Sequence, residues 1–352
     1  MLIYLATYIA FALIAAFKLW KPAGGYVLAF MIFAFLTIFI GYRYQIGVDW
    51  VTYELIFLDA SRSTLFDALG QGDSAYSLIN WLVGQAGGQV WHVNLICAGI
   101  FSAGLILFCQ ILPRPGLALV VAVPTLIVIT AMGYTRQAAA VGCIMLACRA
   151  FHGSISWRWL GWLCLGLLFH KSTLLIFPPF VLAASRNRWV SISVGGGIII
   201  AALILVVARG LGDTLALYLE GDIDSSGTLP RIAIGLVAGL AFFLIKERKE
   251  IFEDRYALFR NMAMMMIIML PLYFIIPSRT IMDRIGILLV PFQSMSYAGL
   301  AASIGRRNPI YEIPATVIII VLYAILFLVW LLYATFANYW IPYINVWQVR
   351  WA

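Results

Sequence analysis

The sequence predicts an all-α, polytopic integral membrane protein with about 12 transmembrane helices. Of its 352 residues, 64% are hydrophobic and only 11% are charged. A soluble domain of this size needs about a quarter of its residues charged to cover its surface. Uncharged apolar stretches that are long enough to cross a bilayer recur along the chain. We therefore expect residues 1–352 to form a single transmembrane domain.

Turn signals such as "KPAGG" (21–25) and "GRRNP" (305–309) separate the apolar stretches. The first stretch has no basic leader and no cleavage pattern, so we expect it to be retained as a helix. Residues 74–89 are too few to cross, which predicts a short interfacial or re-entrant helix. In chain order, the predicted spans are 2–18, 25–42, 90–112, 116–133, 137–151, 157–170, 172–185, 189–208, 230–246, 259–276, 285–304 and 314–337.

The count depends most on the region 157–185. Here His170-Lys171 separates two short apolar runs, which favours two spans. The alternative is a single helix broken at Pro178-Pro179, which would lower the count by one. That alternative would place the "KERKE" segment (246–250) outside, against the usual excess of Lys and Arg in cytoplasmic loops. Two spans are therefore preferred.

The distribution of charge predicts that both termini lie outside. With this orientation most of the 23 Lys and Arg residues fall on the cytoplasmic side, and most of the 15 Asp and Glu residues fall outside. The external loops 43–73 and 209–229 then carry much of the acidic charge. We expect both loops to contribute to an active site.

Several external cations lie at the ends of predicted spans, where the orientation rule does not favour them. Arginines held at headgroup depth are suited to bind an anionic group such as a lipid pyrophosphate in a bidentate manner. The alternative is that each side chain simply reaches the interface from its helix end. Because these ends should face water, we expect substitution to leave folding intact. The cations concerned are Arg43, Arg136, Lys171, Arg231 and Arg284, and Arg279 is a further external cation.

Two side chains are candidates for a general base. In "YRYQIGVDWVTY" (42–53), Asp49 follows a flexible Gly47 and shares a helix face with Tyr53. Asp49 could instead cap that helix. In "FHKSTLLIFPP", His170 lies between two apolar runs, although a lone histidine is more often structural. The segment from 278 to 293 adds an i,i+4 pattern that predicts a salt bridge between Arg279 and Asp283.

Other functional classes find little support. The five cysteines lie in apolar runs and the three histidines are scattered, so we predict no metal site and no cofactor. The acidic loop 209–230 contains Tyr218 and a D-x-D at 222–224, a spacing too common to indicate a metal-nucleotide site. It is interpreted either as a mobile lid or as a solvated loop. No nucleic-acid motif is present, and we expect no nucleic-acid partner.

Five segments together resemble the EpsG-like branch of the Wzy polysaccharide polymerases. They are "YRYQIGVDWVTY", "GYTRQAAA", "FHKSTLLIFPP", "DRIGILLVPF" and "NYWIPYINVW". The resemblance covers the chain in order, and its most specific element is R-x-x-x-G-x-D-x-x-x-Y. It implies a multi-pass protein of the bacterial inner membrane with an organisation like that of GT-C glycosyltransferases. The implied reaction joins repeat units carried on undecaprenyl pyrophosphate, at the periplasmic face and without a metal.

This resemblance also implies roles for individual residues. Arg43, Arg136 and Arg284 would hold the pyrophosphate, with Arg279 and Lys171 as further candidates. Asp49 or His170 would be the base, and Tyr53, Gln137, Tyr218 and Asp222 would contact sugar. Expected partners are the lipid-linked oligosaccharides and membrane lipids, with a chain-length regulator and a flippase as further candidates.

The reactions that remain as alternatives use similar substrates. They are a lipid-linked glycan ligase, a single-sugar GT-C glycosyltransferase and, with less support, an oligosaccharide transporter or a membrane acyltransferase. A transporter should show internal repeats and polar residues at mid-membrane, and neither is evident. The sequence does not separate a polymerase from a ligase.

Overall fold

A computed structural model describes residues 1–21, 25–70, 72–185, 197, 227–276 and 278–350. Within these ranges the chain is helical and contains no β-strand, apart from an isolated antiparallel bridge between Arg43 and Asn345. The all-α prediction is therefore confirmed for this part of the chain. The predicted span 189–208 and most of the external loop 209–229 lie outside the described residues.

The described residues from 1 to 185 form ten α-helices. They are α1 (Leu2–Ala16), α2 (Tyr26–Gly41), α3 (Trp50–Arg62), α4 (Leu65–Gly70), α5 (Ser74–Gln85), α6 (Val90–Gln110), α7 (Pro115–Ala122), α8 (Thr135–Ala150), α9 (Trp157–Phe169) and α10 (Phe177–Ala184). A π-helical segment, Val123–Ala131, extends α7, and a 3-10 segment, Lys171–Ile176, precedes α10. The short helix predicted at 74–89 is present as α5.

The described residues from 227 to 350 form six further α-helices. They are α11 (Thr228–Leu244), α12 (Arg248–Phe252), α13 (Tyr256–Ile275), α14 (Arg279–Arg307), α15 (Glu312–Tyr333) and α16 (Val346–Arg350). Short 3-10 turns precede α13 and α15, and another, Ala337–Tyr339, follows α15. The central helix is α14, which is buried along most of its 29 residues and packs against α7, α11, α13 and α15.

Among the described residues, four helical segments are long and apolar enough to cross a membrane. They are Val90–Gln110, Arg248–Ile275, Arg279–Arg307 and Pro309–Tyr333. Shorter apolar helices surround them, including α1, α2 and α11. The protein is therefore a membrane protein, and the part that the structure describes is all-helical. Helical segments occupy the other predicted spans, whereas the span 189–208 lies outside the described residues apart from residue 197.

The break between α9 and α10 lies at His170, as the two-span interpretation predicted. His170 is extended, with φ −159° and ψ 120°, and ends α9. Pro178 and Pro179 do not break a helix, because they lie in the first turn of α10, where a missing backbone N–H costs little. This start of a new helix brings Lys171 and Ser172 close to the end of α9.

Glycines bring α6 and α8 into close contact, which fixes the start of α8. A Cβ on Gly142 of α8 would lie 2.8 Å from the Ile100 carbonyl oxygen and 2.8 Å from Phe101 Cα. Gly104 of α6 in turn packs directly on the backbone of Gly142. Small residues at a helix crossing allow backbones to approach in membrane proteins. This crossing holds the helix that carries Arg136.

Candidate active site

Arg43 lies inside the protein, immediately after α2. It is only 1% exposed. Its Nη1 donates to the Ile40 carbonyl oxygen at 2.7 Å, and its Nη2 donates to Thr135 Oγ1 at 2.6 Å. Thr135 Oγ1 donates to Asn94 Oδ1 at 3.2 Å, so one chain of hydrogen bonds joins α2, α6 and α8. The expectation that Arg43 faces water was wrong.

The C-terminal segment holds the loop that follows α2. The Tyr44 N–H donates to the Ile344 carbonyl oxygen at 2.9 Å, and the Gly47 N–H donates to the Tyr339 carbonyl oxygen at 3.0 Å. The Val346 N–H donates back to the Tyr42 carbonyl oxygen at 2.9 Å. Two of the sequence motifs, separated by almost the whole chain, are therefore neighbours in space.

Gly47 makes a second close contact, with the turn before α8. Its φ of +99° lies in a region that residues with a Cβ rarely adopt. An added Cβ would lie 2.8 Å from Gly133 Cα and 2.8 Å from the Met132 carbonyl oxygen. The glycine thus allows the loop that carries Asp49 to rest directly on the turn that precedes Arg136.

Gly47→Ala should destabilise the protein by about 1–3 kcal/mol, from backbone strain and overpacking. Thermal unfolding of the purified protein, followed by intrinsic fluorescence, measures the effect. Gly70→Ala is the matched control, because no atom lies within 4 Å of a Cβ at that position. Equal melting temperatures for the two variants would contradict the close contact.

Asp49 precedes α3 at its N-cap position, but its side chain makes no capping hydrogen bond. Burial raises the pKa of this half-buried carboxyl, while the charges of Arg136 and Arg284 oppose that rise. A carboxylate with a raised pKa is a stronger base than an ordinary aspartate. The arrangement therefore does not favour the capping interpretation.

Arg136 lies in the first turn of α8 and is held by groups from α3 and α5. Its Nη1 donates to Asp73 Oδ2 at 3.0 Å, and its guanidinium also hydrogen-bonds the Tyr53 hydroxyl. Its Cζ lies 5.8 Å from the ring centroid of Tyr53 and 5.9 Å from that of Tyr76. Its Nε has no hydrogen-bond partner among the described residues. The side chain is fixed in place, yet 31% of it remains exposed.

Asp73 is a site residue that the sequence analysis missed. Besides the Arg136 guanidinium, its carboxylate accepts a hydrogen bond from the Lys171 backbone N–H. Burial raises the pKa of Asp73, and the charges of Arg136 and Lys171 lower it. Asp73 thus connects α5, α8 and the segment after α9. No local motif marks it, because its partners are distant in sequence.

His170 is oriented by Ser172. Its Nδ1 accepts from the Ser172 N–H at 3.3 Å and lies 2.6 Å from Ser172 Oγ. A ring nitrogen that accepts a backbone N–H carries no proton, so the proton of the neutral ring is on Nε2. Burial, followed by the charges of Arg284, Arg136 and Lys171, lowers the pKa of His170 to about 3. At neutral pH His170 is therefore an uncharged N–H donor.

The start of α14 has a different pairing from the one expected. Asp283 forms an ion pair with Arg231 of α11, rather than the predicted i,i+4 bridge with Arg279. The Arg279 guanidinium stacks on the Tyr273 ring, with Cζ 4.0 Å from its centroid, and donates to the Tyr273 carbonyl oxygen. These bonds hold Arg279 against α13.

Arg284 directly follows Asp283 on α14, and its side chain is exposed. The Gln137 side-chain amide donates to the Arg284 carbonyl oxygen at 2.9 Å, which joins α8 to α14. The positive charge of Arg284 lowers the pKa of both Asp49 and His170. Arg284 therefore belongs to the same polar surface as these two groups.

Five of the predicted residues come together, and we name them the external cluster: Asp49, Arg136, His170, Lys171 and Arg284. Tyr53 lies buried beneath Arg136, and Gln137 is buried at the joint with α14. Arg43 and Arg279 are held elsewhere, by the bonds described above. Tyr218 and Asp222 lie outside the described residues.

A cavity of about 100 Å³ adjoins Arg136. Its polar lining comes from Asp59, Asp73, Tyr76, Ser77 and Arg136. Sites that enclose drug-sized ligands occupy roughly 300 Å³ or more, so this cavity does not enclose an oligosaccharide. Among the described residues, no group of His, Cys, Asp and Glu side chains could hold a metal ion.

Comparison with protein families identifies the chain. The model of the EpsG family matches residues 26–345. The chain belongs to the EpsG family. The match includes every residue of the external cluster, together with the loop after α2 and the segment 339–345 that hydrogen-bonds it. No curated protein and no solved structure matched this EpsG-family chain.

Proposed function

We propose that this EpsG-family protein is a polysaccharide polymerase. It transfers a glycan from undecaprenyl pyrophosphate onto another lipid-linked repeat unit, at the periplasmic face of the bacterial inner membrane. The family supports a role of this kind in polysaccharide biosynthesis. The observation that carries the chemistry is the external cluster, where a carboxylate, an N–H donor and three cations share one surface.

The proposed reaction needs a base and stabilisation of a leaving group. The acceptor hydroxyl oxygen attacks the anomeric carbon of the donor while the bond from that carbon to the phosphate oxygen breaks. The bonding electrons leave with undecaprenyl pyrophosphate, and the hydroxyl proton passes to Asp49. Fixed cations stabilise the charge that develops on the leaving phosphate, so the reaction needs no metal.

Each cation has a separate task in this proposal. Arg136 is held rigidly by Asp73 and Tyr53, which suits a residue that meets the pyrophosphate in one fixed geometry. Arg284 and Lys171 are exposed and can follow the lipid-linked group as it leaves. The contribution of Arg43 and Arg279 as phosphate ligands stays a prediction, as does that of Gln137, Tyr218 and Asp222 as sugar ligands.

His170 takes the role of a donor. Its Nε2–H can hydrogen-bond a phosphate or sugar oxygen, whereas a ring with a pKa of about 3 is a poor proton acceptor at neutral pH. Between the two candidate bases, this favours Asp49. The buried Arg43 supports the site from behind, because it holds Thr135, the residue that precedes Arg136.

The proposal includes twelve spans in a GT-C-like organisation. Several helices near the external cluster are short, including α9 and α10. The polar surface of the cluster lies between the end of α9 and the start of α10. Lipid-linked oligosaccharides are the proposed substrates. A chain-length regulator and a flippase are proposed partners, because the first would limit the product and the second would deliver the substrate.

The orientation predicts which loops react with an impermeant thiol reagent added from the periplasm. In a Cys164→Ser background, which removes the exposed native cysteine, Thr64→Cys should be labelled and Glu250→Cys should not. Both positions are exposed, so a difference between them reports the side of the membrane. Labelling of Glu250→Cys in sealed cells would contradict the orientation.

Incubation of the purified protein with lipid-linked repeat units tests the reaction itself. A polymerase should give a ladder of products that differ by one repeat unit. A ligase or single-sugar transferase should give one product of fixed size. A single product of fixed size from active protein would contradict the polymerase proposal.

A further inference from the structure

A second charged cavity lies at the opposite end of the helix bundle. Its volume is about 270 Å³, and it is bordered by the end of α1 and the starts of α7 and α15. Its lining residues include Lys18, Trp20, Lys21 and Arg114. None of these residues belongs to the external cluster.

Three helices, α1, α7 and α15, have one end at this cavity and the other end on the side of the external cluster. Near the start of α1, Tyr4 donates to the Trp340 carbonyl oxygen at 2.8 Å, whereas the cavity lies at its end. The extension of α7 ends at Ala131, close to Gly47, and α15 ends before the segment that holds the loop after α2. The 22 residues of α15 span about 33 Å at 1.5 Å per residue. The predicted orientation places the cavity at the cytoplasmic side.

The cavity carries excess positive charge. Lys18, Lys21 and Arg114 line it, and none of its lining residues among those described is acidic. Behind the lining, the 8% exposed Glu312 pairs with Lys18 Nζ at 2.9 Å and with Arg114. Glu312 pairs with two of the three cations that line the cavity, which leaves an uncompensated positive charge for an anionic ligand.

Two buried hydrogen-bond donors at this cavity have no acceptor among the described residues, which supports a ligand that supplies one. Trp20 is 3% exposed and lines the cavity, and its indole N–H has no hydrogen-bond partner among the described residues. Arg114 Nε is also buried and has no hydrogen-bond partner among the residues that the structure describes. Buried donors are normally satisfied, so each such group calls for an explanation. An anion with several oxygens would supply acceptors to both sides of the cavity.

The apolar side chains of the lining indicate that the anionic group belongs to a lipid. Ile14, Leu117, Ile313 and Val317 border the same space, and Val317 is 42% exposed on the outer surface of α15. Basic pockets between transmembrane helices at the cytoplasmic side are suited to phospholipid headgroups. We propose that this cavity binds a phosphate ester, the headgroup of an anionic phospholipid of the inner leaflet. This inference does not depend on the proposed polymerase activity.

Native mass spectrometry of the full chain in detergent tests the proposal. Phosphatidylglycerol should remain bound to the wild-type protein, and phosphatidylcholine should not. Lys18→Gln combined with Lys21→Gln should weaken phosphatidylglycerol binding about 30-fold, since each cation near a membrane surface contributes to the attraction of anionic lipid. Lys246→Gln combined with Lys249→Gln is the matched control, because it removes the same charge from exposed positions outside the cavity.

A steric variant keeps the test valid if the charge variant folds poorly. Val317→Phe fills the cavity from its exposed side without changing the charge, and it should also lose bound phosphatidylglycerol. Competition by free glycerol phosphate at equal concentration would support the phosphate site and assign its ligand to a soluble source. Phosphatidylglycerol binding that is unchanged in both cavity variants, or equally weakened in the control, would overturn the proposal.

Discussion

Asp49→Asn should abolish formation of longer products while the lipid-linked substrate still binds. The asparagine keeps the shape of the side chain but cannot accept the proton of the attacking hydroxyl. General-base assistance is worth about 10²–10⁴-fold in rate, and we expect a loss in that range. The rate of ladder formation measures the loss, and retention of labelled substrate by the purified variant measures binding.

Two control variants make this result specific. Glu54→Gln removes an exposed carboxylate from α3, the helix that Asp49 precedes, and should retain near-normal turnover. His170→Gln removes an N–H donor rather than the base, so its effect should be milder than that of Asp49→Asn. Normal turnover in Asp49→Asn together with an inactive His170→Gln would reverse the assignment.

The pH dependence provides a second readout for Asp49. Because only the ionised carboxylate accepts a proton, activity should fall as pH drops through the pKa of Asp49. Burial raises that pKa, and the charges of Arg136 and Arg284 lower it. Arg284→Gln removes one of these opposing charges, so the acid limb of its pH–rate profile should move to higher pH. An unchanged limb would contradict the electrostatic contact between the two residues.

Arg136→Lys should lower activity by about 10²-fold or more, which is typical when a fixed donor to a developing charge is removed. Lysine retains the charge but cannot bridge Asp73, Tyr53 and a phosphate with a planar fork. The loss should appear as a lower maximal rate of ladder formation. Thermal unfolding and detergent gel filtration report whether the variant is folded.

Arg62→Lys is the matched control for Arg136→Lys. Arg62 is exposed at the end of α3, and its exchange should leave the rate unchanged. Asp73→Asn should partly reproduce the effect of Arg136→Lys, because Asp73 orients the guanidinium without contacting substrate. Near-normal polymer from Arg136→Lys would show that Arg136 simply reaches the interface.

Local patterns in the sequence were sufficient for the described helices and for choosing the five residues of the external cluster. Apolar stretches located the helices, and a polar interruption located the break at His170. Gly47 and Asp49 were recognised because a glycine and an acidic residue directly precede a helix. Each of these signals lies within a few residues of the feature that it predicts.

The contacts between distant segments could not be predicted in this way. Asp73 orients Arg136 across 63 positions, and Asp283 pairs with Arg231 across 52 positions rather than with its helical neighbour Arg279. The burial of Arg43 follows from the packing of α2, α6 and α8, and from the C-terminal segment that pairs with its loop. The sequence contains the residues that make such contacts, but its local patterns do not show which residues pair with each other.

Release of the leaving group tests the central claim most directly. Purified protein is incubated with lipid-linked repeat units in the presence of a metal chelator, and free undecaprenyl pyrophosphate is measured against the number of new glycosidic bonds. The proposal predicts one undecaprenyl pyrophosphate released for each bond formed, with release lost in Asp49→Asn. Bond formation without this release, or release that continues unchanged in Asp49→Asn, would contradict glycosyl transfer at the external cluster.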